Sequence, residues 1–226
     1  MMRAGTRRII AGIFRDLDYK ALGPVYCDEG GADFWRAHRG PAQRLGMNIA
    51  AVLRRKLRRG GRSLYVGAGV AELSALAMES LDLGRGVEAY NLRTAEVRVL
   101  KPACKSLPIS WHAADATGAS GCFDHLWMVS VLNDPEEFPE LSALSYGRCD
   151  PTQFRPDKFA AQRRAVRALA DRCLRKLSLP ALVTTSIEEA VWIEQWCASR
   201  DQPCRIERRT YPTAIVGDPV CLMHLG

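Results

Sequence analysis

The stretch SLYVGAGVAEL, Ser63 to Leu73, decides how the chain is read. Leu64 to Val66 is an apolar run that suits a buried strand, Gly67-Ala68-Gly69 breaks it, and the residues that follow read as helix. Strand, glycine turn and helix hold a nucleotide in many folds, because the turn admits a ligand to the backbone and the helix N-terminus carries partial positive charge. A dinucleotide fingerprint, G-x-G-x-x-G, would need glycine at position 72, where this chain has Glu72. A carboxylate there favours the helix dipole but opposes a pyrophosphate. The lysine of a phosphate-clamping G-x-x-x-x-G-K-[ST] loop is missing as well. The turn therefore points to a ligand that needs close backbone approach and brings no phosphate.

Outward from the turn, strands and helices alternate. Residues 70–81 read as helix, with Leu73, Leu76 and Leu81 near one face. RGVEAY (85–90) reads as a strand, 92–101 as a helix before Pro102, and PISWHAAD (108–115) as a strand. FDHLWMVSVL (123–132) is apolar enough for a strand buried on both faces. A polar, proline-bearing stretch runs from Asn133 to Pro156, long enough to read as a functional loop. Residues 157–178 read as helix, PALVTTSI (180–187) as strand and 188–200 as helix. CRIERRTY (204–211) and VCLMHL (220–225) are two further strands with a turn near Gly217-Asp218-Pro219. Upstream, Gly40-Pro41 opens a helix that carries Leu45, Ile49, Val52, Leu53 and Leu57 and stops at Gly60-Gly61. Before it lie an amphipathic N-terminal helix, the aromatics Phe14, Tyr19, Tyr26, Phe34 and Trp35, and turns at Gly23-Pro24 and Gly30-Gly31. The expected fold is α/β: a seven-stranded, mostly parallel sheet with helices on both faces and a C-terminal antiparallel hairpin. Residues 1–60 are expected to form a helical cap and 61–226 the ligand-binding domain.

Composition fits a globular chain: 226 residues, 47% hydrophobic and 25% charged. No apolar run approaches the roughly 20 residues that span a bilayer, and no export signal is evident. The eight cysteines form no C-x-x-C pair, so they read as reduced thiols in a cytoplasmic protein, with no metal site signalled. The net charge of +7 raises nucleic acid as a partner. However, Arg54, Arg55, Lys56, Arg58, Arg59 and Arg62 lead into the amino end of the first strand, while ligands of open α/β sheets bind beyond the carboxyl ends. Arg172, Arg175 and Lys176 precede the fifth strand in the same way. Nucleic acid is accordingly disfavoured as a substrate.

Taken in order, these segments resemble the class I S-adenosylmethionine-dependent methyltransferases, whose first motif is an apolar strand followed by G-x-G-x-G. Here it reads Val66-Gly67-Ala68-Gly69-Val70-Ala71, with Ala71 in place of the third glycine and Tyr65 where members often carry an acid. The resemblance covers about residues 60–226. It implies S-adenosyl-L-methionine as cofactor, held by Gly67, Ala68 and Gly69. It also implies that Glu88, beside Ala89, ends the second strand and accepts from both ribose hydroxyls, two oxygens matching two donors. Asn91 takes that place if the strand runs longer. Asp115, with Ala116, is placed at the adenine, and Val129 and Ser130 near the cofactor end of the fourth strand.

Each of these residues has a plainer reading. Gly67 and Gly69 make any tight turn, Glu88 is a surface acid, and Asp115 caps the next turn through Thr117 or Gly118. Methyl transfer is largely a matter of alignment, and a base is needed only where the acceptor must lose a proton. Asp134 and His38 are the candidates for that role. Leu132-Asn133-Asp134-Pro135 is no N-P-P-[YF] motif, which disfavours amino-group methylation of bases by that route. The expected function is methyl transfer to a small molecule. Aminopropyl transfer of the spermidine or nicotianamine synthase kind, a non-catalytic partner module and a nicotinamide oxidoreductase stay open as alternatives.

Overall fold

The computed structural model describes residues 2–27, 31–213 and 218–226. The expected turns at Gly30 and Gly217 fall outside them. The chain divides into two compact units, Met1–Ala119 with Tyr211–Gly217, and Ser120–Thr210 with Asp218–Gly226.

In the first unit, α1 (Ala4–Asp16) turns Ile10, Ile13 and Phe14 inward and its arginines outward. After it come α2 (Tyr19–Tyr26) and α3 (Gly31–Lys56). The helix expected to open at Pro41 begins ten residues earlier, and Pro41 lies inside it. Pro24 likewise lies inside α2, where a turn was expected. Proline keeps a helical φ but forfeits the bond to the preceding turn and crowds the carbonyl there. Along α3 that loss is offset by burial on both sides of it: Trp35 and Ala42, then Ile49, Ala50 and Leu53. Strand β1 (Arg62–Val66) follows, then α4 (Leu73–Ala77), which widens into a π-helical turn over Met78–Asp82. Next come β2 (Gly86–Tyr90), α5 (Thr94–Ala103), β3 (Ile109–His112) and a 3-10 turn at Ala116–Gly118. Strands β1, β2 and β3 pair in parallel, Val66 opposite Tyr90 and Tyr90 opposite His112.

The second unit holds β4 (Phe123–Met128), α6 (Pro139–Ser145), α7 (Pro156–Leu174), β5 (Leu177–Ser186), α8 (Ile187–Ala198), β6 (Cys204–Ile206) and β7 (Val220–Leu225). The polar stretch read as a loop thus contains a short helix. Strand β4 stops four residues before the end of its apolar run, because Ser130 turns to a positive φ of 57°. Strand β5 starts earlier than its apolar core and pairs with β4 in parallel, while β7 runs antiparallel to both β5 and β6. Hydrogen-bonded neighbours give one seven-stranded sheet in the order β3-β2-β1-β4-β5-β7-β6. It is the expected mostly parallel sheet with an antiparallel C-terminal pair. Among the described residues no helix is long and apolar enough to cross a membrane.

The π-helical turn has a cause. Glu79 is fully buried and accepts from Ser63 Oγ, from Tyr65 Oη at 2.5 Å and from Arg85 Nε at 3.0 Å. Arg85 spends its remaining donors on the carbonyls of Arg58 and Arg62, both at 2.8–2.9 Å. Tyr65, one of the two departures from the motif, is thereby explained: its hydroxyl is a donor to a buried carboxylate. Asp82 does similar work at the other side of the turn, accepting from Arg3 N, Thr6 Oγ1 and Arg54 Nε, which pulls its carboxyl below the usual range despite burial. Removing one partner from a buried ion pair strands the other charge. Arg85→Ala should therefore cost about 3–5 kcal/mol, read as a lower urea midpoint at unchanged slope. A loss under about 1 kcal/mol would show that Ser63 and Tyr65 suffice for Glu79.

Candidate functional site

The glycine turn sits directly after β1. Gly67 has φ +70°, a conformation that a side chain resists, and it is the exposed residue of the three; Ala68 and Gly69 are buried. Gly69 is glycine for a different reason. A Cβ there would meet Glu96 Oε1 and Tyr26 Oη, each at 2.7 Å. The backbone of the turn is satisfied from within. Ala68 N donates to the Tyr90 carbonyl at 2.9 Å, Gly69 N to Glu72 Oε2 at 2.8 Å and Val70 N to Tyr26 Oη at 3.4 Å. The Ala68 carbonyl accepts from Asn91 Nδ2 at 2.9 Å. Asn91 also donates to Glu96 Oε2, and Tyr26 donates to Glu96 Oε1. Burial pushes the Glu96 carboxyl above its ordinary range, with Tyr26 and Asn91 pulling the other way. Burial beside Glu96 raises the Tyr26 phenol well above 10.

The other residues expected to meet a cofactor are placed as follows. Ala89 is buried in β2 between Tyr65 and Trp111 of the neighbouring strands. Glu88 lies two residues inside β2 rather than at its end. Its carboxylate accepts from Arg62 at 2.6 Å and from Tyr90 Oη at 3.2 Å. Strand β2 runs on to Tyr90, whose ring stacks on His112 at 4.4 Å, so the first residue past the strand is Asn91. Asp115 is exposed and caps the 3-10 turn, accepting from Thr117 N at 2.8 Å, while Ala116 is buried. His38 is on α3, stacked on Phe34 at 4.2 Å with Nδ1 2.7 Å from the Phe34 carbonyl oxygen.

In the second unit, Val129 and Ser130 lie past β4, not within it. Ser130, Val131 and Leu132 present three successive N–H groups, and the fully buried Glu189 takes all of them at 2.9, 2.6 and 2.5 Å. Ser186 Oγ adds a further donor at 2.8 Å. The same oxygen accepts from Glu189 N at 3.3 Å while Ser186 N donates to Glu189 Oε2 at 3.4 Å, a capping box at the start of α8. Burial raises the Glu189 carboxyl, and the donors oppose that rise. Asp134 accepts from the backbone N–H of Glu136 at 2.8 Å.

Glu189 could have been found from Ser186-Ile187-Glu188-Glu189, a capping-box spacing. Tyr26 and Glu96 carry no local signal, since only folding brings them to Gly69. Among the described residues no three metal-binding side chains gather in one place. Burial pushes the thiols of Cys104, Cys197 and Cys221 up to about 12, which leaves them protonated at neutral pH.

Two outcomes follow for the turn. Gly69→Ala should cost about 1–3 kcal/mol, since Tyr26 and Glu96 cannot both stay. The folded Glu96 holds its proton to higher pH than the unfolded chain does. Its contribution to stability is therefore present below the ordinary carboxylate range and lost as pH rises through the folded value. Glu96→Gln should gain on the parent as pH rises above the ordinary carboxylate range. Urea midpoints that differ by a constant amount across that rise would overturn this.

No family model matches the chain, and no curated protein matches it. Solved structures do. A methyltransferase from Pyrococcus furiosus superposes with a TM-score of 0.52 at 12% identity, covering 80% of this chain and 82% of that one. The N-methyltransferase NodS from Bradyrhizobium japonicum WM9 superposes at 0.53 and 13% identity, covering 82% and 97%. TYW2 from P. horikoshii, solved in complex with MeSAdo, superposes at 0.51 and 10% identity, covering 82% and 63%. The order β3-β2-β1-β4-β5-β7-β6, with β7 antiparallel, and these superpositions agree: the chain has the Rossmann-like fold of the class I methyltransferases.

Proposed function

We propose that the chain is an S-adenosylmethionine-dependent methyltransferase acting on a small-molecule acceptor. The observation that carries this reading is the charge at the glycine turn. Glu72 and Glu96 both lie against Gly69, and the N–H groups of Ala68, Gly69 and Val70 are already used. A pyrophosphate would find two acidic side chains and few donors there, whereas S-adenosylmethionine brings no phosphate to the turn. The residues present thus fit S-adenosylmethionine, which when bound supplies a methyl group on a cationic sulfur.

In this reading Gly67, Ala68 and Gly69 bound the cofactor's amino-acid end, and exposed Gly67 allows close approach. Asn91, next to Ala89 and Tyr90, takes the end-of-strand position toward the ribose, because Glu88 is held by Arg62 inside the strand. Asp115 and Ala116 stand at the adenine. His38 keeps Nε2 for an acceptor proton where one must be removed. A small acceptor is favoured over nucleic acid because two of the arginines in the basic run are engaged by carboxylates, Arg54 by Asp82 and Arg62 by Glu88.

Titration calorimetry of the folded chain tests the cofactor. S-adenosylmethionine and S-adenosylhomocysteine should both bind, NADH should not, and Asn91→Ala should weaken binding about tenfold or more. Binding of NADH alone would replace the reading with a nicotinamide one. Loss of affinity in Glu88→Gln, with Asn91→Ala unaffected, would return the ribose position to Glu88.

A further inference from the structure

The net charge is not spread evenly along the chain. Residues 1–119 hold 19 arginines and lysines against 11 acids, and residues 120–226 hold 13 against 14. Within the first unit the excess gathers on α3 and just after it. Between Asp33 and Glu72 the sequence has nine arginines and lysines and no acid, and the next three acids, Glu72, Glu79 and Asp82, are buried. Arg36, Arg39, Arg44, Arg55 and Arg59 are exposed. At about 3.6 residues per turn the first four fall on one side of α3, away from the side that carries buried Trp35, Ala42, Ile49 and Leu53. Arg44 and Arg55 stand three turns apart, about 16 Å by helical rise. Arg44, Arg55 and Arg59 make no ion pair among the described residues. The helix dipole accounts for part of this pattern. It favours cations only within the last turn, which covers Arg54, Arg55 and Lys56 but not Arg36, Arg39 or Arg44. Like charges on one face repel, and beyond the pair of Asp33 with Arg36 no acid of α3 relieves them.

A row of guanidinium groups with no acids among them has a polyanion as its complement. Eight of the nine basic residues are arginine, whose planar fork suits phosphate oxygens. A bilayer is a poor fit. Among the described residues of the first unit Leu92 is the only large apolar side chain that is exposed, and it lies off α3. A helix that settles on a membrane needs apolar groups to enter the acyl boundary. Nor does the row offer a platform on which loose bases could stack, because Trp35 is sealed and Phe34 packs on Trp35, Tyr26 and His38. A single strand would gain charge contacts alone there, and a duplex carries twice the charge along its axis, one per ~1.7 Å. We infer that the outer face of α3 and the turn after it dock double-helical nucleic acid by its phosphates, at Arg39, Arg44, Arg55 and Arg59, without reading its sequence. A duplex held in this way keeps its bases stacked, so it is a partner and not the methyl acceptor. Docking there is independent of the methyl-transfer reading.

Fluorescence anisotropy of a labelled DNA duplex of about 24 base pairs, titrated with the whole chain at several salt concentrations, is the test. Four phosphate contacts give a slope of log K against log salt of about −4, a loss of about a hundredfold between about 50 and about 200 mM. Duplexes of unrelated sequence should bind alike. Arg44→Gln together with Arg55→Gln, both at exposed positions and both to a residue of similar helix propensity, should weaken binding about tenfold or more near 50 mM. The slope should fall to about −2 at an unchanged thermal midpoint. Arg164→Gln together with Arg172→Gln removes the same charge from exposed positions of α7 and should leave the slope as in the parent. Absence of binding near 50 mM salt, an unchanged slope in the α3 double variant, or an equal loss in the α7 double variant overturns the inference. So does tighter binding of a single strand of the same length, or of vesicles that contain phosphatidylserine.

Discussion

A carboxylate sealed from water must be met by donors, and the turns of this fold are built to meet their own. Glu79 draws Ser63 and Tyr65 from β1 and Arg85 from the entry to β2 onto one buried charge. Glu96 gathers Tyr26 and Asn91 around Gly69. Glu189 ties three consecutive N–H groups beyond β4 to the start of α8. In each case a helix supplies the acid, and the donors come from strands and turns, joined at Glu96 by Tyr26 at the end of α2. Apolar burial provides most of the cohesion and is non-directional. The carboxylates add a directional constraint: a shift of one residue leaves a charge unpaired.

This division of labour explains what could be read from the residues alone. Alternation of apolar runs and helical periodicity is a local property, so the strand-and-helix order was visible, as was the antiparallel end from two strands with no crossover helix between them. Boundaries were less legible, because they are set by long-range partners. Strand β4 ends where Glu189 seizes the Ser130 N–H, although the apolar run continues to Leu132. Helix α3 passes through Pro41 because tertiary burial outweighs one missing hydrogen bond. The same limit applies to the candidate site. Gly67 and Gly69 were legible as a turn, but the reason for Gly69 is Tyr26 and Glu96, both far away in sequence. Glu88 drew attention by its spacing, and the structure shows the strand continuing past it to Tyr90.

The glycine turn is also a lesson in what a motif leaves open. Two glycines after a strand permit close approach without saying what approaches. Here one glycine faces outward and the other is filled by the chain's own tyrosine and glutamate. The selectivity of such a turn lies in the acids around it, because their charge sorts phosphates from cations more strongly than the backbone does.

The position of β7 bears on how the sheet is completed. Val220–Leu225 pairs on one side with β5 and on the other with β6, and β6 has no other neighbour in the sheet. The three residues of β6 precede it in the chain but have nothing to join until it arrives. During synthesis, then, one edge of the sheet stays open at β5, with its backbone groups unpaired, until Val220–Leu225 has emerged. A chain cut between Ile206 and Val220 would present its fifth strand as an open, aggregation-prone edge.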